Sequence, residues 1–308
     1  MITQDDKIYS LNEEDFSLIL RCMLDRVPIL ITGINKDDVE FFAHKLADLM
    51  SFRNKIIFYT DFISKNELDM ILDEEESNYD VQRSIIISPN DATHKALQIF
   101  NNFKSWILCF HYNDLPEVSD NSFNSRLNFI TNLIQGKEDF FLLIENLDNN
   151  IDVNVIGKKV KFSDLKYEKL IHNRAIKFVD NAINRMKRIF SQRLLVNHEI
   201  EEDFRDELLN FGFEENNLKN NFFKIKILEF YNAARRAFSI LNKISILSSL
   251  NINIELNYKT LMDTISYTDA SHSRLLDFIR AEWNEGFSSE IDTQEEKYKS
   301  DLIEGLWG

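Results

Sequence analysis

A strand-like run, Val27-Pro28-Ile29-Leu30-Ile31-Thr32, meets Gly33, the only glycine in the first 135 residues, and Asn35-Lys36-Asp37-Asp38-Val39-Glu40-Phe41-Phe42 follows as a helix start. Strand, glycine, helix is an arrangement that can receive phosphate, because the first N–H groups of a helix lack intrahelical partners and its dipole favours an anion there. Lys36 is the cation for the phosphate in such a site. Two further apolar strand-like runs end in polar residues that could take part. Trp106–Phe110 runs into His111 and, three residues later, Asp114; Phe140–Ile144 runs into Glu145 and Asn146. Asp37 and Asp38 argue the other way, since carboxylates beside a triphosphate repel it unless a metal bridges them. As helix caps, Asn35, Asp37 and Asp38 suit the dipole, so Gly33 is expected to serve a tight strand-to-helix turn.

A second group of residues could form a contact surface. Residues 157–193 carry eleven Lys/Arg against three Asp/Glu in a chain of net charge −15. On a helix through this segment Arg174 and Lys177 lie three apart, and Arg185 and Arg188 repeat that spacing on roughly the same side. Such cations could grip a nucleic-acid backbone or an acidic protein; the negative charge of the rest of the chain disfavours nonspecific nucleic-acid binding elsewhere. At the C-terminus Leu302, Ile303, Leu306 and Trp307 follow an acidic spacer, as anchors for a partner's groove or for the helical half itself. The six histidines form no pair at zinc-ligand spacing, the two cysteines are 87 apart, and no Gly-x-Ser-x-Gly elbow is present, so no metal and no nucleophilic centre is expected.

The composition bounds what carries these residues. A hydrophobic fraction of 44% with 25 Phe supports a packed core, and 7 Gly with 3 Pro are too few for an all-β sandwich or barrel. No apolar run has the length of a membrane span. The N-terminus lacks the parts of a signal peptide, and Cys22 and Cys109 read as reduced core thiols, so a cytoplasmic protein is expected. Candidate strands are 28–34, 55–60, 84–88, 106–111 and 140–145, mostly continuous apolar runs as in parallel strands covered on both faces. Candidate helices lie at 12–24, 37–50, 64–76, 91–103 and 121–135, spacings that suit right-handed crossovers. A sixth strand over 158–162 closes this part, and Ser163 caps a long amphipathic helix. Further helices follow at 199–211, 215–248, 257–267 and 271–285. The expected fold is α/β, a three-layer mostly parallel sheet over residues 1–162, then an all-α domain over 163–287 and an acidic, mobile tail over 288–308.

This layout resembles the AAA+ branch of the P-loop ATPases, over most of the chain in architecture and weakly in motif. The family's Gly-x-x-x-x-Gly-Lys-Ser/Thr loop is here Gly33-Ile34-Asn35-Lys36-Asp37-Asp38, with one glycine, too short a loop and an aspartate after the lysine. His111 stands where the magnesium strand should end in Asp-Glu, and Asn146 looks like the polar sensor residue of the next strand. Gly157–Leu165 is similar to the strand after the arginine finger, with Lys158 and Lys159 in the finger's neighbourhood. The resemblance implies a degenerate, non-catalytic scaffold or regulatory subunit that contacts proteins, in a homo- or hetero-oligomer, and needs no cofactor. The alternatives are an ATP hydrolase or switch using ATP and Mg through Gly33, Lys36, Asp114, Glu145 and Asn146, and a nucleic-acid-binding module using helix 166–193.

Overall fold

The computed structural model describes residues 7–9, 11–58, 82–99, 104–111, 140–147, 150–157, 165–194, 212–252 and 256–284, with a few isolated positions besides. The first helix, α1 (Glu13–Leu24), begins where the Asn12 side chain accepts the Asp15 N–H and three acidic residues fill the first turn. It ends in a Schellman turn, with Val27 N–H donating to Cys22 O and Arg26 left-handed at φ 60°. Arg26 is no glycine, and its conformation is held by Nε donating to Ser105 Oγ at 2.8 Å and by its carbonyl accepting Ser105 N–H at 2.9 Å.

Five apolar runs become the parallel strands β1 (Ile29–Gly33), β2 (Asn54–Ile57), β3 (Ser84–Ser88), β4 (Trp106–His111) and β5 (Phe140–Leu147). With β6 (Asn150–Gly157) they form one sheet in the order β2-β3-β4-β1-β5-β6. The interior strands need apolar residues on both faces because both faces are covered. Ile29, Ile31, Ile85, Ile87, Ile107, Cys109, Leu142 and Ile144 face a large cluster with α1 and α2 (Lys36–Leu49), whereas Leu30, Ile86, Trp106, Leu108, Phe110, Phe141 and Leu143 face a smaller one with Ala92, Ala96 and Leu97 on and beside α3 (Thr93–Ile99). The result is a six-stranded, mostly parallel sheet between helical layers.

The described sheet includes a strand that the sequence reading does not place. Asn150–Gly157, which is not among the expected strands, runs antiparallel to β5, while residues 158–162 and Ser163 lie outside the described residues. The alternation Asn-Ile-Asp-Val-Asn-Val-Ile suits an edge strand, with Ile151, Val153 and Val155 packed on the large cluster and Asp152 and Asn154 exposed. The expected helices 121–135 and 199–211, and most of 64–76, also fall outside the described residues.

The later helices are α4 (Lys166–Leu194), α5 (Gly212–Ser249), α6 (Tyr258–Ile265) and α7 (His272–Trp283). Their apolar faces, through Tyr167, Ile171, Phe223, Ile227, Phe230, Leu261, Phe278 and Trp283, enter the same large cluster as α1, α2 and the sheet. The start of the tail is anchored, because β8 (Ile291–Asp292) pairs in parallel with β7 (Leu256–Asn257). No helix among the described residues is long and apolar enough to cross a membrane.

Buried arginines tie these layers together. Arg53 donates from Nη1 to Met23 O at 2.6 Å and from Nη2 to Leu24 O at 2.9 Å, and pairs with Glu282 of α7; the two side chains are 0% and 1% exposed. Arg83 Nε donates to Glu282 O at 2.8 Å. Arg274 donates to Glu168 at 2.7 Å and to Asp25 at 2.9 Å. Burial pushes the Glu168 carboxyl up, and the Arg274 and Arg21 guanidinium groups pull against that shift. Removing one partner of a buried pair strands the other charge in the interior. Glu282→Ala is therefore expected to cost about 3–5 kcal/mol of stability, measured by urea unfolding; a loss below about 1 kcal/mol, the range of exposed pairs, would show that the Arg53 pair does not hold the layers.

Candidate functional site

The chain order places a crevice at one position on the carboxyl edge of the sheet. From β1 the chain crosses to β2 at the far edge, with α2 on the face of the large cluster; from β4 it crosses the other way, past β1, to β5. Neighbouring strand ends that send their chains in opposite directions leave a gap, and ligands of open α/β sheets bind in such gaps. Here the gap lies between Gly33 of β1 and its register partner His111 of β4, with Asn146 beside Gly33 on the other side.

Gly33 has no left-handed backbone, so its role is close approach. A Cβ there would lie 2.7 Å from Val39 Cγ2 and 2.8 Å from Asn146 O. The glycine thus lets α2 pack against the ends of β1 and β5. Asn35 caps α2 by accepting the Asp37 N–H at 3.0 Å, and Asp37 and Asp38 stand in its first turn.

The chain's own side chains cross this gap. His111 Nε2 lies 2.7 Å from Ile34 O, and because a carbonyl only accepts, the imidazole proton is on Nε2. Lys36 Nζ pairs with Asp91 at 3.0 Å, where both side chains are substantially exposed and the pair is weak. Asn90 joins in, its N–H and Nδ2 donating to Glu40 Oε1 at 2.9 and 3.0 Å and its Nδ2 also to Lys36 O at 3.2 Å. From the N-terminal segment Lys7 Nζ donates to Asn146 Oδ1 at 3.0 Å and meets Asp38 at 3.4 Å.

Gly33 and Asn146 are register partners at one end of the sheet, and Lys36 opens the helix that follows Gly33, its ammonium on Asp91. Glu145 does not join them, because successive residues of a strand face opposite sides and Asn146 shares the α2 side. The Glu145 carboxyl is pushed up, first by burial and then by Asp152, its antiparallel partner on β6. Asp114, Lys158 and Lys159 lie outside the described residues, as do Leu302, Ile303, Leu306 and Trp307. On α4, Arg174 is used within the chain, bonded to Asp269 at 2.6 Å, while Lys177, Arg185 and Arg188 are exposed. Cys22 and Cys109 are buried free thiols, both pushed up chiefly by burial. Among the described residues no group of His, Cys, Asp and Glu could hold a metal ion. Sequence reasoning passed over Lys7, Glu40, Asn90 and Asp91. Only His111 carried a local signal, as a polar residue ending an apolar strand.

Comparison with protein-family models, with curated proteins and with solved structures finds no match to this chain.

Two measurements check this geometry. Gly→Ala at an ordinary φ stabilises a protein by about 0.4–1 kcal/mol, whereas overpacking costs about 1–3 kcal/mol. Gly33→Ala is expected to follow the second rule and lower the melting temperature, because the clash involves backbone; a raised one refutes the close approach. For Glu145 the folded pKa lies above the unfolded value, so its favourable contribution is complete only below about pH 4 and is lost as pH rises through the folded value. Glu145→Gln is expected to stabilise the protein by about 0.2–1 kcal/mol at pH 7, with the gain gone by about pH 3, in thermal melts across that range.

Proposed function

We propose that this protein is a non-catalytic, degenerate P-loop-type scaffold or regulatory subunit that works in the cytoplasm through protein–protein contacts. The observation that carries this reading is the closed gap at Gly33, where His111 holds Ile34 O at 2.7 Å and Lys36 is turned onto Asp91. A phosphate loop works through backbone N–H groups and a lysine directed at the anion. Here the N-terminus of α2 faces its own carboxylates, Asp37 and Asp38, and Lys7 lies between Asp38 and Asn146. The strand order supports the AAA+-like assignment, because it sets the glycine-bearing β1 centrally with its helix on one face and the returning crossover directed away. In the finer form of this reading, α4–α7 correspond to the helical part of such a protein.

The contact surface is best sought on the long helices. Ile176, Phe178, Ile225 and Leu228 are 38–57% exposed on α4 and α5, large apolar side chains that a partner could cover. Lys177, Arg185 and Arg188 are exposed on α4, and among the described residues none of them forms an ion pair. A local acidic patch on a partner protein fits this face better than nucleic acid, because it can meet these cations without laying a long polyanion over the rest of a chain of net charge −15.

Calorimetric titration with Mg-ATP tests the reading. No heat of binding is expected at tens of micromolar, about the affinity range in which ordinary ATPases work, and the solution mass is expected to be unchanged by nucleotide. Binding with turnover lost on Lys36→Ala would instead establish an ATP hydrolase with unorthodox motifs.

A further inference from the structure

The amino edge of the sheet, opposite the Gly33 gap, holds a cleft of about 350 Å³ between the start of β1, the start of β5 and the end of α7. Its walls are of two kinds. Val27, Pro28, Phe140 and Ala281 are apolar, whereas Lys104 and Arg280 are exposed cations, and among the described residues neither forms an ion pair. Among the described residues Lys104 makes one long contact, of 3.4 Å to Asn284 Oδ1.

The bland explanation for these cations is that they serve the helices ending nearby. The C-termini of α1 and α7 both reach this cleft, and each helix end carries about half a negative charge. That need is already met. Arg53 takes Met23 O and Leu24 O at the end of α1, and Arg83 takes Glu282 O at the end of α7. The one carboxylate lining the cleft, Asp25, is likewise engaged, by Arg21 and by Arg274. Among the described residues Lys104 and Arg280 are thus left without a balancing carboxylate, in a chain whose net charge is strongly negative.

We infer that this cleft binds a small phosphate monoester carrying a flat apolar ring. The Arg280 guanidinium supplies a two-pronged donor and Lys104 a separate point charge, a combination suited to a dianion with three equivalent oxygens. Phe140, Pro28 and Val27 supply the surface for the ring. The volume lies at the lower end of the range for small-molecule sites, enough for a ring and its phosphate. The site is on the opposite edge from Gly33 and stands or falls independently of the scaffold reading.

Titration of the full chain with phenyl phosphate, followed by NMR or calorimetry, tests this. Saturable binding is expected, with inorganic phosphate about tenfold weaker or worse for want of the ring. Lys104→Ala and Arg280→Ala are each expected to weaken phenyl phosphate about tenfold, and Arg280→Lys is expected not to restore it. Both residues are exposed, so the variants are expected to melt with the parent. Absence of saturable binding, or binding that survives the double substitution, overturns the site. So does a fall in melting temperature in both variants with no ligand effect, which would return the two cations to the helix ends. Tighter binding of a phosphotyrosyl peptide than of phenyl phosphate counts against a small-molecule ligand.

Discussion

The architecture depends on how the carboxyl end of α1 is satisfied in a dry interior. A helix terminus buried without partners leaves carbonyl groups that cost as much as lost hydrogen bonds. Arg53 reaches Met23 O and Leu24 O, and its remaining charge is neutralised by Glu282 from the far end of the sequence. Arg274 does the parallel task for Asp25 and Glu168, which joins α7 to α4 as well as to α1. Hydrophobic burial supplies most of the stability of such a core, but it is indifferent to direction. The buried guanidinium groups are directional, and they fix where α7 lies over α1 and the sheet.

The two edges of the sheet contrast for reasons that follow from this anchoring. At the carboxyl edge, short polar side chains bond laterally from strand to strand and from strand to helix, so His111, Asn90, Glu40 and Lys7 draw the loops inward. At the amino edge, arginines from outside the sheet satisfy the helix ends, and the surface between them stays open. An open α/β sheet ordinarily keeps its usable space at the carboxyl edge. In this chain the polar resources of that edge are spent on closing it.

How much of this was legible in the sequence depends on the range of the interaction. Continuous apolar runs such as Ser84–Ser88 and Trp106–His111 announced buried strands to the residue, because a parallel strand needs both faces apolar whatever its neighbours are. Asn12 announced the start of α1 through its cap. The strand Asn150–Gly157 carries a readable period-two pattern, but it is half polar, as an edge strand allows, and so lacks the continuous apolar run that marks the interior strands. Gly33 was conspicuous as a lone glycine, but its reason lies in Val39 and Asn146 O, one in the next helix and one more than a hundred residues away. Arg53, Arg83, Arg274, Glu168 and Glu282 carried no sign of burial, since an isolated charged residue in a sequence reads as surface. Register puts Gly33 beside Asn146, whereas strand parity turns Glu145 to the opposite face of the sheet, a relation visible only once the strand pairing is known.

The separation of Arg53 from Glu282, 229 positions along the chain, has a bearing on descent. Each residue alone is replaceable only at the expense of the other, whereas an apolar pair of similar volume can substitute for both. In lineages that have lost every local motif, kinship is then recorded as concerted exchange at two distant positions, charged with charged or oily with oily. Such a signal survives divergence that erases resemblance between neighbouring residues, because it is written in the contact and not in the segment.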